Sequence, residues 1–190
     1  MVYRLAANND RYMVFHIEPK ELRSKMGDDI KIHMGAAPDK YINNWVKPNS
    51  TFYKPDNFPD AFDIPDLALW GEYLVLNEKA YEVLHLKLDS YGEFLPVNCE
   101  GLTYYLFNVL KDAEDYNGLD EAESEYNMFE GSQTHLKKLV FKEDALASIL
   151  LFRSKYEGHN RIFCNNEFKH LVEASKFNGL IFKTDLEGLV

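Results

Sequence analysis

Residues 93–110 read EFLPVNCEGLTYYLFNVL, and this stretch predicts the centre of the fold. Two apolar runs rich in strand-forming residues, 93–100 and 102–110, flank Gly101. A glycine between two such runs is typical of a tight hairpin, because glycine readily adopts the positive φ angles that these turns need. We therefore predict an antiparallel pair of strands joined at Gly101.

After this hairpin the chain alternates between short apolar runs and one clear helical segment. A short helical turn is predicted over residues 143–148. Asn165 or Asn166 is expected to cap a helix that Gly179 ends, since asparagine side chains accept hydrogen bonds from the first free amides of a helix. One face of this helix is predicted to carry Phe168, Leu171, Val172 and Ser175. The predicted strands are 136–141, 149–154, 161–164 and 180–185.

The first part of the chain is more irregular. Apolar runs at 2–7 and 12–17, around an Asn-Asn-Asp turn, predict a second hairpin. Pro19 and Gly27 are placed to begin and end a short helix over 19–26. Residues 35–66 predict a long loop that aromatic side chains hold in place, since flexible linkers lack such anchors. The prolines and aromatic residues of this loop are Pro38, Trp45, Pro48, Phe52, Tyr53, Pro55, Phe58, Pro59, Phe62 and Pro65.

A strand followed by a helix precedes the central hairpin. Residues 73–77 (YLVLN) predict a strand, and Asn77 is placed to cap the helix that follows. The buried face of this helix is predicted to carry Ala80, Val83, Leu84 and Leu88. Strands arranged in hairpins with two or three helices predict an α+β fold with a largely antiparallel sheet. We expect a single domain over 1–190, with an N-terminal part at 1–44.

Composition narrows the functional classes. The 190 residues are 46% hydrophobic and carry a net charge of −10, which is typical of a folded protein that phosphate backbones would repel. The sequence has no apolar run long enough to span a membrane, and its start lacks the apolar region of a signal peptide. Cys99 and Cys164 lie in apolar runs without a CxxC pair, which favours reduced buried thiols over a disulfide. Together these features predict a cytoplasmic protein.

The most biased stretch of the chain is KDAEDYNGLDEAESEY, residues 111–126. Seven of its positions are acidic. Aligning Gly118 with the glycine of a calcium-binding EF-hand loop places Ala113 and Ser124 where carboxylate ligands are required, so the motif does not fit. A surface for a basic partner, an ordinary solvated loop and a looser cation site outside this motif all remain open interpretations of this stretch.

Other patterns of catalytic or metal-binding residues are weak. No two of the six histidines are three or four positions apart, and GxSxG, P-loop and GxGxxG motifs are absent. Neither a metal nor a cofactor is therefore predicted. Trp45 and Trp70 are expected to anchor the long loop, with a ligand pocket as the alternative. Arg153 lies in an apolar run, where it either faces solvent or pairs with a buried carboxylate in a structural role.

Several short motifs then occur in a characteristic order. They are FDIP (62–65), LVLNEKAYEVL (74–84), EFLPV (93–97), YYLFNVLKDAEDY (104–116), LFR (151–153) and NGLIF (178–182). In this order they resemble the immunity protein family of bacterial polymorphic toxin systems named after a Myxococcus xanthus member, the eleventh of the immunity-protein series. The resemblance covers roughly residues 45–183, and the chain has Asn77 where the family usually has serine.

The resemblance implies a non-enzymatic protein that binds and neutralises a cognate toxin domain. Many such domains act on nucleic acids and are basic, so an acidic surface would speed association. The candidate toxin-binding residues are Asp112, Glu114, Asp115, Tyr116, Asp120, Glu121 and Tyr126, and the candidate structural residues are Trp45, Arg153 and Gly179. The alternatives are a hydrolase-like enzyme built from dispersed acids and histidines, and a scaffold or adaptor. The sequence does not indicate the oligomeric state.

Overall fold

Three β-sheets and three α-helices form the described part of the chain. A computed structural model describes residues 1–28, 32, 39–56, 62–129 and 132–188. In chain order the elements are β1 (Val2–Ala7), β2 (Val14–His16), α1 (Pro19–Met26), β3 (Asn49–Tyr53), β4 (Leu67–Trp70), β5 (Tyr73–Leu76), α2 (Glu78–Leu88), β6 (Gly92–Cys99), β7 (Leu102–Val109), β8 (Glu125–Phe129), β9 (Ser132–Lys138), β10 (Leu151–Phe152), β11 (Phe163–Asn165), α3 (Asn166–Ala174) and β12 (Leu180–Lys183).

The strands pair mostly in antiparallel fashion, which confirms the predicted α+β class. The largest sheet has six strands in the order β2-β3-β6-β7-β5-β4, and only its β3–β6 pair is parallel. A four-stranded antiparallel sheet has the order β10-β11-β1-β12. The third sheet is the β8–β9 hairpin.

The predicted central hairpin is present in full. β6 and β7 pair from Gly92 opposite Val109 to Cys99 opposite Leu102. Glu100 and Gly101 form the turn with φ angles of 52° and 88°, and two successive positive φ angles match the right-handed twist of the strands they join. Side chains alternate along β6, so this hairpin contributes to a hydrophobic cluster on each of its faces.

The predicted hairpin between residues 2–7 and 12–17 is wrong. β1 instead pairs with β11 and β12, which come from the last quarter of the chain. The chain turns at Asn8, whose carbonyl accepts from the amides of Arg11 and Tyr12. This turn directs β2 to the other sheet, where it pairs with β3. Two adjacent apolar runs therefore looked like a hairpin although each has a distant partner.

The predicted loop over 35–66 contains more regular structure than expected. Residues Ile42–Asn44 form a 3₁₀ turn, and β3 lies where a loop was predicted. The alternating burial of β3 shows the signal that was missed, since Ser50 and Phe52 point inward and their neighbours outward. Pro38, Phe58 and Pro59 lie outside the described residues. β4 and β8 were not predicted either.

The helices follow their local signals closely. α1 begins at Pro19, and Gly27 follows its end with φ 83°. The side chains of Asn77 and Asn165 accept from the backbone amides of Ala80 and Phe168, which confirms both predicted N-caps. Two details differ from the prediction: Val83 is exposed rather than buried, and α3 ends at Ala174, five residues before Gly179.

The predicted strands of the second half are placed less accurately. β9 ends at Lys138, so half of the predicted strand 136–141 lies beyond it. The predicted strand 149–154 is reduced to the two residues of β10. The predicted turn at 143–148 and the final strand β12 are present.

Three hydrophobic clusters hold these elements together. The first lies between the two larger sheets and buries α2 and α3. The second lies on the opposite face of the six-stranded sheet, where side chains of its strands pack with Leu22 of α1. The third packs β10 and β11 against Leu119, Leu146 and Phe141, beneath the acidic stretch. The acidic residues 111–126 therefore lie over a hydrophobic base.

Candidate partner-binding surface

The acidic stretch follows β7, and its first residues form backbone hydrogen bonds with Arg153. The amide of Arg153 donates to the carbonyl of Lys111 at 2.7 Å, and the amide of Ala113 donates to the carbonyl of Arg153 at 2.9 Å. A 3₁₀ turn, Ala113–Tyr116, follows and ends at Asn117 in the left-handed conformation. A Cβ atom at Gly118 would lie 2.5 Å from the side chain of Leu146, so a larger residue there would have to displace this buried leucine.

Two of the seven acidic residues turn towards a loop at 154–161. The Asp112 side chain is 10% exposed, and its carboxylate lies 3.2 Å from Nε2 of His159 and 3.5 Å from Nζ of Lys155. Oε1 of Glu114 accepts from Oγ of Ser154 at 2.7 Å and from the amide of Tyr156 at 3.0 Å. These carboxylates fix the loop beside the acidic stretch.

Three further acidic residues are exposed but paired with lysines of the same chain. Asp115 lies 2.6 Å from Lys155, Glu123 lies 2.8 Å from Lys138, and Glu125 lies 2.6 Å from Lys137. The pKa of Lys155 is raised, mainly by its hydrogen bond to Asp115. Pairs in water contribute little stability, but they reduce the charge that a partner would meet.

The remaining negative charge gathers in one groove. Among the described residues, neither Asp120 nor Glu121 forms an ion pair within 4 Å, although Glu123 and, more weakly, the charge of Asp120 raise the pKa of Lys138. Asp120 and Glu121 both line a groove of about 290 Å³. Glu114 lines it too, and its Oε2 atom has no hydrogen-bond partner among the described residues. The rest of the lining is Asn117, Leu119, Ala122 and Lys142. The groove therefore presents three carboxylates and one lysine.

The two tyrosines predicted as anchors face largely inward. Tyr116 and Tyr126 are half-buried and pack on the third hydrophobic cluster. The Tyr126 hydroxyl donates to the carbonyl of Tyr156, whose own hydroxyl donates to the carbonyl of Ser124 at 3.1 Å. This reciprocal pair attaches the β8–β9 hairpin to the 154–161 loop.

Arg153 is 1% exposed and so does not face solvent. One terminal nitrogen of its guanidinium donates to the carbonyl of Glu72 at 2.9 Å and to Oδ1 of Asn108 at 3.0 Å. Burial lowers the pKa of Arg153, while the nearby Tyr73, Glu72 and Asp112 oppose that shift. The predicted alternatives were exposure to solvent and pairing with a buried carboxylate. The structure buries the side chain, and the two hydrogen bonds above join it to a backbone carbonyl and an amide oxygen.

The other residues singled out in the sequence lie away from the groove. Nε1 of Trp45 donates to the carbonyl of Pro96 at 2.8 Å, and both tryptophans are partly buried against the second cluster. Gly179 has φ 103°, and a Cβ atom there would lie 2.0 Å from the carbonyl oxygen of Leu67. Trp45 and Gly179 thus each contact the backbone of the six-stranded sheet.

The two cysteines and the potential metal ligands are the remaining candidates for chemistry among the described residues. Cys99 and Cys164 are both buried and not disulfide-bonded, and burial raises the pKa of each thiol. No group of three histidine, cysteine, aspartate or glutamate side chains within the described ranges could hold a metal ion. None of the described helices is long and apolar enough to cross a membrane.

The region that contains the acidic stretch is similar to a known protein family. Residues 96–185 match the model of the Immunity protein family (Imm11). This match confirms the resemblance that the motif order predicted. The Imm11-like region is slightly less than half of the chain and begins within β6, so the predicted similarity of residues 45–95 is not part of it. It contains the whole acidic stretch, the groove and Arg153. No curated protein matches the chain.

Proposed function

We propose that this chain is a non-catalytic immunity protein that binds a cognate toxin domain in the cytoplasm and blocks its action. The Imm11 match carries this proposal, because an immunity function implies a toxin as partner. The net charge of −10 and the carboxylates of the groove favour a partner with a basic surface. Nucleic acid and membranes are not expected partners.

Within the acidic stretch, the proposed contacts are the carboxylates that lie at the groove or beside it. Asp120, Glu121 and Glu114 line the groove, and the exposed Asp115 flanks the same turn. A basic side chain entering the groove would meet the carboxylates of Asp120 and Glu121, which form no ion pair among the described residues. We assign Asp112, Tyr116 and Tyr126 a supporting role, since Asp112 and Tyr126 contact the 154–161 loop and Tyr116 packs on the third hydrophobic cluster.

We infer that the chain folds as a single domain. β1 belongs to the same sheet as β10, β11 and β12, so residues 2–7 complete a sheet whose other strands all come from residues 151–183. Removing the N-terminal part would expose the edges of β11 and β12 and the first hydrophobic cluster. We therefore expect a fragment starting at residue 45 to aggregate rather than to neutralise the toxin.

Co-expression tests the function directly. The toxin domain encoded beside this protein is expressed in a sensitive bacterial host, with and without the full chain. Growth that the full chain restores is the expected result, and toxicity that it leaves unchanged refutes the proposed function.

The stoichiometry of neutralisation tests the non-catalytic mechanism. A purified toxin domain is titrated with the protein, and its residual activity is measured at equilibrium. A binding inhibitor gives an end point at a fixed molar ratio. Inactivation of many toxin molecules by one molecule of this protein would instead establish an enzyme.

Charge reversal tests the groove. Asp120→Lys with Glu121→Lys changes the local charge by four units, and we expect association at low salt to slow by roughly tenfold or more, with a weaker salt dependence. Glu78→Lys with Glu82→Lys, on the exposed side of α2, provides a control with the same change in net charge. Equal slowing by both pairs would mean that net charge matters and the groove does not.

A further inference from the structure

Three buried polar side chains are hydrogen-bonded in series from β6 through β7 to the residue after β10. They belong to Glu93 on β6, Asn108 on β7 and Arg153 after β10, which are 8%, 0% and 1% exposed. Nδ2 of Asn108 donates to Oε1 of Glu93 at 2.9 Å, and Oδ1 of Asn108 accepts from Arg153 at 3.0 Å. We call these three residues the buried polar relay.

One end of the relay holds the surface segment 39–42. The Glu93 carboxylate accepts from the amide of Tyr41 at 2.7 Å and from the amide of Ile42 at 3.2 Å. Asn108 also donates to the carbonyl of Asp39 at 2.8 Å. The side chains of Glu93 and Asn108 thus bind the backbone of segment 39–42 at three points.

The other end of the relay holds the start of the acidic stretch. The backbone of Arg153 exchanges hydrogen bonds with Lys111 and Ala113 on either side of Asp112. The next two residues, Ser154 and Lys155, bind the carboxylates of Glu114 and Asp115. A shift of Arg153 would consequently move the positions of three acidic residues.

The relay is suited to transmit changes because its members are buried and hydrogen-bonded directly to one another. Outside the relay, the guanidinium also donates to the carbonyl of Glu72. Its Nε atom has no hydrogen-bond partner among them. Leaving a buried polar or charged group unpaired is costly, so loss of one hydrogen bond favours rearrangement of the next.

We propose that the buried polar relay couples segment 39–42 to the acidic stretch, so that loosening or binding at one of these surfaces changes the other. This coupling is a property of the free chain and does not depend on the proposed toxin. Where a partner occupies the acidic stretch, linkage requires that it also alter the opening of segment 39–42.

Hydrogen exchange of single backbone amides in the free protein tests the proposal. Arg153→Met removes the guanidinium at one end, and the measured amides of Tyr41 and Ile42 lie at the other. We expect these two amides to exchange about tenfold faster, as loss of a hydrogen bond to a charged group would produce. Leu84→Ala, in the first hydrophobic cluster, is the control for a comparable loss of global stability.

A second variant, changed at the opposite end of the relay, keeps the test possible if Arg153→Met does not fold. Glu93→Gln keeps the shape of the side chain but weakens its bond to Ile42, and it should speed exchange at Ala113, beyond Arg153. Faster exchange at the distant amides in the relay variants, but not in Leu84→Ala, supports coupling. Exchange that rises only next to each substitution, or equally in Leu84→Ala, overturns it.

Discussion

Acidification should stabilise this protein through one buried carboxyl group, Glu157. Its side chain is fully buried, and its carboxylate accepts from the amide of Arg161 at 3.1 Å and from the guanidinium of Arg161 at 3.0 Å. Burial raises the pKa of Glu157 to about 7, although Arg161 acts in the opposite direction. Loss of hydration therefore outweighs attraction to the arginine.

The size of this stabilisation follows from the difference between the pKa of Glu157 in the folded state and its pKa in the unfolded state. The ordinary pKa of this carboxyl is 4.5, against about 7 in the fold. At about 1.4 kcal/mol for each pH unit, this difference corresponds to about 3 kcal/mol. The folded state binds the proton more tightly, so the contribution of Glu157 to the free energy of unfolding is greatest below pH 4.5. It falls as the pH rises to about 7 and is constant above that.

Urea unfolding between pH 4.5 and 8 measures this contribution. Other groups also titrate in this range, so the quantity of interest is the stability difference between the wild type and Glu157→Gln at each pH. That difference should change by about 3 kcal/mol in favour of the wild type on acidification. Glu82→Gln, at an exposed position on α2, is the control and should show no such change. A pH-independent difference for Glu157→Gln would refute the reasoning.

Three other predictions follow from the geometry. Gly179→Ala should destabilise the fold by more than about 3 kcal/mol, because its Cβ would lie 2.0 Å from a backbone oxygen of β4. Gly101→Ala, with a similar φ but open space, should cost only about 1 kcal/mol in chemical denaturation, and equal losses would contradict this contrast. Asn165→Ala should lower the melting temperature through loss of about 1 kcal/mol of helix capping; an unchanged value would show that the cap is dispensable. Cys99 and Cys164 should react with a thiol reagent far more slowly in the native state than in urea, and rapid native labelling would show that they are accessible.

The accuracy of sequence-based expectations depended on how local the physical signal was. The caps at Asn77 and Asn165 involve amides only three residues away, so the sequence predicted them correctly. The turn at Gly101 is similarly local. The pairing of β1 was predicted wrongly because its true partners lie more than 150 residues away.

The candidate binding surface likewise combines features that depend on neighbouring residues with features that depend on distant ones. Its location in residues 111–126 was predicted from charge alone. Charge could not show which carboxylates this chain already neutralises, since Lys155 is 40 residues from Asp115 and reaches it only through the fold. Asp120 and Glu121, which form no ion pair among the described residues, line the same groove. Tertiary structure brings them there.

By itself, then, the sequence determined the helices, the central hairpin, the acidic character and the family resemblance, because each depends on neighbouring residues or on the order of motifs. Tertiary structure alone decided the partners of β1, the burial of Arg153 and the division of the acidic residues into paired and unpaired groups. The physical reason is that burial and charge pairing depend on distances between side chains, and those distances are set only when remote segments pack together.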